Sequence, residues 1–70
     1  MNLWYRYAPH ATPVEVKYLC RLSPKGMYHR VQQIRSGWIL GVPAGSLYRD
    51  KLGTQQLNAQ LLMLMFGDGA

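Results

Sequence analysis

Residues 14–22 read Val14-Glu15-Val16-Lys17-Tyr18-Leu19-Cys20-Arg21-Leu22. Val14, Val16, Tyr18, Cys20 and Leu22 alternate with Glu15, Lys17, Leu19 and Arg21. A period of two is the signature of a strand with one face on a core and the other in water. A competing signal precedes it. Thr12-Pro13-Val14-Glu15 has the form of a helix capping box with proline at the first helical position. Five alternating apolar positions, three of them β-branched or aromatic, outweigh one box, so the segment is read as a strand. On this reading Cys20 shares the buried face of Val16 and Tyr18 as a small hydrophobe. Lys17 and Arg21 share the opposite face.

The neighbouring residues extend the sheet. Ser23-Pro24-Lys25-Gly26 is a turn sequence, with proline suited to the second position and glycine to the fourth. Residues 27–34, MYHRVQQI, return as a second strand, and Ser36-Gly37 turns again. Trp38 to Val42 forms a third short strand closed by Pro43-Ala44-Gly45. Gly41 within it signals a bulge or a close backbone approach. Upstream, residues 3–7, LWYRY, are strand-prone and end at Pro9. They serve either as an edge strand with Trp4 in the core or as an arm that meets a partner. Residues 46–52 are compatible with a helical turn or a strand.

Downstream of Gly53, Thr54 can cap a helix that ends near Gly67. Leu57, Leu61, Leu64 and Met65 fall on one face at helical spacing. Leu62, Met63 and Phe66 make the last two turns apolar nearly all round. That end is either enclosed against the sheet or meets a partner or second copy. The expected fold is therefore α+β: a small antiparallel meander of three to four strands with one C-terminal helix. The segments are an arm or edge strand over 1–13, the meander over 14–52 and the helix over 54–66.

A chain of 70 residues forms at most one domain and buries roughly 60% of its unfolded surface. Cys20 is the only cysteine, which excludes an intramolecular disulfide and a cysteine-based zinc site. The opening residues lack the basic start and apolar run of a signal peptide. The longest apolar run, Leu61 to Phe66, is too short to span a bilayer. A cytoplasmic location is expected, without a membrane partner.

Chemistry finds little support. The acids are Glu15, Asp50 and Asp68, with Asp68 in a glycine-flanked tail, and general acid–base work needs a positioned pair. His10, His29 and Cys20 show no metal-ligand spacing and no nucleophile signature. Gly41, Gly45 and Gly53 are too far apart for a phosphate loop. No enzyme activity, cofactor or metal is expected.

The formal net charge is +5, and its placement is uneven. Arg6, Lys17, Arg21, Lys25, Arg30 and Arg35 face Glu15 alone in residues 1–37, whereas Arg49 and Lys51 balance Asp50 and Asp68 beyond. Such asymmetry points to an anionic partner, either an acidic protein surface or nucleic acid, or else serves solubility. Trp4, Tyr5, Arg6 and Tyr7 lie within four positions and are of the types enriched in interface hot spots. The expected partner-binding set is Trp4, Tyr5, Arg6, Tyr7, Lys17, Arg21, Arg30 and Arg35.

The opening Met1-Asn2-Leu3-Trp4-Tyr5-Arg6-Tyr7, with the size, charge and β-plus-helix reading, resembles small phage-encoded transcription regulators that bind the RNA polymerase of Xanthomonas. The resemblance implies a phage protein in the host cytoplasm that binds RNA polymerase near the RNA exit channel. It would inhibit transcription initiation and promote antitermination through protein–protein interaction. Direct nucleic-acid binding is the alternative reading. A structural protein that oligomerises through its C-terminal helix is the third.

Overall fold

A computed structural model describes residues 2–67. Met1 of the opening arm and the tail residue Asp68 lie outside the described residues. The fold is α+β, with five antiparallel strands in one sheet and a C-terminal helix. The strands are β1 (Asn2–Tyr5), β2 (Val14–Arg21), β3 (Tyr28–Gln33), β4 (Ile39–Pro43) and β5 (Leu47–Tyr48). The helix is α1 (Ala59–Phe66). The sheet order is β4-β3-β2-β1-β5, so the alternating segment that decides the fold is its middle strand. No described helix is long and apolar enough to cross a membrane.

Local chemistry shapes each connection. The Gly26 amide donates to the Ser23 carbonyl at 3.0 Å, and Gly26 takes φ 71°, a conformation glycine adopts at no steric cost. The Ser23 hydroxyl accepts from the amides of Met27 and Tyr28. This closes the β2–β3 hairpin. Residues 44–46 form a 3₁₀ turn that leads into β5, which resolves the first part of the ambiguous 46–52 segment. The rest is a turn ending at Gly53.

Three expectations are corrected. First, the alternation of β2 does not run through to Leu22. Tyr18 lies opposite Val31, but Cys20 lies opposite Arg30, and the register shifts between Tyr18 and Cys20. Leu19 is left without a cross-strand partner, as in a β-bulge, and one extra residue inverts the faces beyond it. Cys20 therefore shares the face of exposed Arg30 and is only half-buried. Arg21 lies opposite buried His29, away from Lys17. Gly41 is the close approach and no bulge: a Cβ there would stand 3.0 Å from Leu22 Cδ1.

Second, β1 is neither a free arm nor an edge strand. It pairs with β2 on one side and β5 on the other. Leu3, opposite Val16, is fully buried, and Trp4 points to the opposite face.

Third, the helix starts at Ala59, with Asn58 rather than Thr54 as its cap. Asn58 Oδ1 accepts from the Leu61 amide at 2.8 Å. Thr54 instead donates its amide and hydroxyl to Asp50, and Gln56 bridges Tyr48 at the sheet edge. Helix and sheet share a core of Leu3, Val16, Val31, Val42, Ala44, Leu47, Leu57 and Leu62. Ala59, Met65 and Phe66 pack around it. Leu61 and Leu64 are exposed, so the expected Leu57-Leu61-Leu64-Met65 stripe is not the buried face. Gly67 ends the helix, its amide bonded to the Met63 carbonyl with φ 76°.

Candidate functional site

The buried strand positions lie on the face of the sheet that carries the core, with the helix packed against it. Cross-strand pairs share a face, so the registers define what the opposite face presents. Tyr48, Trp4 and Glu15 form one row, and Asn2, Lys17, Gln32 and Ile39 the next. Cys20, Arg30 and Gly41 follow, then Tyr28 and Pro43. Tyr28 is 52% exposed and Ile39 57%. Leu22 and Ile34, which extend β2 and β3 on the same parity, are also exposed. This open face is basic, aromatic and partly aliphatic.

The sequence-based binding set divides on this frame. Trp4, Lys17 and Arg30 come together on the open face. Arg35 sits in the β3–β4 turn and lines one groove with Trp4. Tyr5 packs against the core, and Tyr7 is exposed in the connector after β1. Arg21 lies on the face of His29.

Arg6 has an internal role. Its guanidinium donates to the carbonyls of Pro9 at 3.1 Å and Leu52 at 3.0 Å, and it lies 5.1 Å from the centre of the Tyr48 ring. The Arg6 Nε is buried without a hydrogen-bond partner, so the clasp is incomplete. Gly53, at φ 74°, leaves the space the guanidinium fills.

Both described acids are engaged. Glu15 accepts from the Asn2 side-chain amide at 3.0 Å. Asp50 accepts from the Thr54 hydroxyl at 2.5 Å and the Gln55 amide at 2.7 Å, as well as from the Thr54 amide. The Thr54 side-chain hydrogen bond, opposed by desolvation and aided by the backbone amides, lowers the Asp50 carboxyl to about 2. Lys17, Arg30, Arg35 and Lys51 make no side-chain hydrogen bond or ion pair among the described residues. The open face therefore carries cations without a hydrogen-bond or ion-pair partner among the described residues.

The groove at the Trp4 end has a volume of about 520 Å³. Its walls include Trp4, Pro13, Ile34, Arg35 and Lys51, and Glu15 is also in the lining. Lys51 and Ile34 were not in the sequence-based set. Tyr28 and Arg30 share a parity in β3, so Tyr28 was within reach of the period-two pattern. Lys51 was not, because only the fold brings its loop to Trp4.

His29 is the one buried polar side chain among the described residues. Its Nε2 lies 2.6 Å from the Gly26 carbonyl, which can only accept, so Nε2 carries the proton. Nδ1 then accepts from the Tyr18 hydroxyl at 3.0 Å. Burial, with the nearby Cys20 thiol adding to it, raises the Tyr18 phenol above its ordinary value, and Arg21 partly offsets this. Both ring nitrogens are thus used within the fold. Among the described residues no three of His, Cys, Asp and Glu gather closely enough to hold a metal ion.

No model of a known protein family, no curated protein and no solved structure matches the chain.

Proposed function

We propose that this chain is a non-enzymatic regulator that binds a larger protein machine through the open face of its sheet. The observation that carries the reading is the gathering of Trp4, Lys17, Arg30 and Tyr28 on the face opposite the helix, with no ion pair on either cation among the described residues. Exposed aromatic and arginine side chains are the usual anchors of protein interfaces. Ile34, Ile39 and Leu22 beside them add apolar area that a protein surface can cover. The unpaired positive charge suits an acidic partner and would speed its encounter. RNA polymerase is the candidate machine that the resemblance of the opening residues adds. Action would be steric or allosteric, inhibiting initiation or promoting antitermination, with no covalent chemistry.

Direct nucleic-acid binding draws on the same cations. Single strands gain affinity by stacking successive bases on neighbouring rings. Here Trp4 and Tyr28 are separated by the Lys17 and Arg30 rows, and Tyr48 is engaged by Arg6. That spacing favours a protein partner. The test is capture of partners from bacterial lysate with and without nuclease. Polymerase subunits, or another defined complex, retained after nuclease and lost in K17E/R30E support the reading. Capture that disappears with nuclease overturns it.

A further inference from the structure

We infer that the groove at the Trp4 end of the open face docks an acidic segment of a protein partner. An apolar side chain of the segment would lie against Trp4, Pro13 and Ile34, and a flanking carboxylate on Arg35 and Lys51. The inference rests on the protein-binding reading above and names the chemistry that one part of that face selects.

The groove, at about 520 Å³, falls within the roughly 300–1,000 Å³ typical of ligand clefts. Its lining is mostly apolar, and its two cations come from separate loops. Each loop is fixed by its own hydrogen bonds. In the turn that carries Arg35, the Ile34 amide donates to the Glu15 carbonyl at 3.1 Å and the Gly37 amide to the Gln33 carbonyl at 2.9 Å. Ser36 donates to the Gln33 side chain at 2.6 Å. In the loop that carries Lys51, the Asp50 carboxylate holds Thr54 and Gln55, and Arg6 holds the Leu52 carbonyl. The backbones bearing both cations are therefore held in place before a ligand arrives, which lowers the ordering cost of binding. Neither cation has a hydrogen-bond or ion-pair partner among the described residues.

Charge complementarity calls for an anion beside an apolar group. Two features select a peptide over a nucleotide. Glu15 stands in the wall, where it repels a backbone charged at every unit, whereas a peptide can set its carboxylate on Arg35 and Lys51 and offer Glu15 a neutral N–H. The groove also offers one aromatic ring, and the rest of its apolar lining is aliphatic.

The test is titration of the full-length, ¹⁵N-labelled chain near physiological salt with a twelve-residue peptide of alternating glutamate and leucine. A dodecamer of thymidine is the nucleic-acid probe. The indole signals of Trp4 and Trp38 are resolved reporters, and Trp38 lies at the β3–β4 turn outside the groove lining. The expected result is a shift of the Trp4 indole with peptide and affinity reduced on the order of tenfold in R35E/K51E. R35Q/K51Q should show a smaller loss with unchanged amide dispersion. An unmoved Trp4 indole, unaltered affinity in both variants, or a thymidine strand that occupies the groove in preference to the peptide overturns the inference. If K17E/R30E abolishes partner capture while R35E/K51E binds as wild type, the groove falls and the open-face reading stands. If neither pair matters, both fall.

Discussion

Tyr18 and Phe66 stack with ring centroids 3.9 Å apart and planes 12° from parallel. The hydroxyl of the same tyrosine donates to His29, whose other nitrogen holds the Gly26 carbonyl in the β2–β3 turn. One side chain thus joins the end of the helix, the middle strand and the hairpin turn. It clamps the helix against one face and leaves the other open.

Removing the hydroxyl alone tests this link. Y18F keeps the stack but leaves Nδ1 of a fully buried histidine without a donor, which costs about 1–3 kcal/mol. F66A removes the stacked ring and should cost a comparable amount, about 2–3 kcal/mol, because Phe66 is only partly buried. Urea unfolding followed by circular dichroism reads both. Y18F as stable as wild type would contradict the proposed tautomer and bond.

Adjacent residues of β1 should separate fold from function. L3A opens a cavity under a fully buried side chain and should cost about 2–5 kcal/mol, enough to unfold much of so small a domain. W4A, on the open face, should change stability by less than about 1 kcal/mol and weaken partner binding. A folded L3A with an unfolded W4A would invert the assignment of faces.

Arg6 and Gly53 form one unit. R6A loses two hydrogen bonds and the Tyr48 contact and should cost about 1–2 kcal/mol. G53A forces a side chain into a positive-φ site already filled by the guanidinium and should cost at least about 1 kcal/mol. Because the Cβ and the guanidinium compete for one space, the double variant should lose less than the two single losses together. Strict additivity in thermal or urea unfolding would show that the two residues do not share that space.

Asp50 sets an acid limit. Its carboxyl is lowered from 3.8 to about 2 in the folded chain. The stabilisation is therefore present above about pH 4 and is lost as pH falls through 2, where the folded state must also take up the proton. D50N should flatten that part of the stability–pH profile. An unchanged profile between pH 4 and 2 would remove Asp50 as its source.

Local chemistry made much of the fold legible. Alternation marked β2, Ser23 to Gly26 marked the hairpin, and Gly67 marked the helix end. The bulge was hidden because Leu19 is as apolar as the residues it interrupts, so nothing in composition signals the change of face at Cys20. The helix start was misplaced because Thr54 and Asn58 are both good caps, and Asp50, four residues earlier, captures the first of them. Parity within β2 put Lys17 on the polar face, but the cross-strand register Lys17–Gln32, and with it the company of Arg30, came only from the fold. Arg6 read as an anchor because its partner Leu52 lies 46 positions away, and no local pattern reports such a contact.

On the protein-binding reading the uncovered, basic face of the sheet binds an acidic protein surface. The most direct measurement is partner capture from nuclease-treated lysate by wild type and by K17E/R30E, with folding of the variant verified by its amide spectrum. Wild type is expected to retain a defined protein complex, and the folded variant to lose it. Retention of the same complex by the folded variant would contradict the claim.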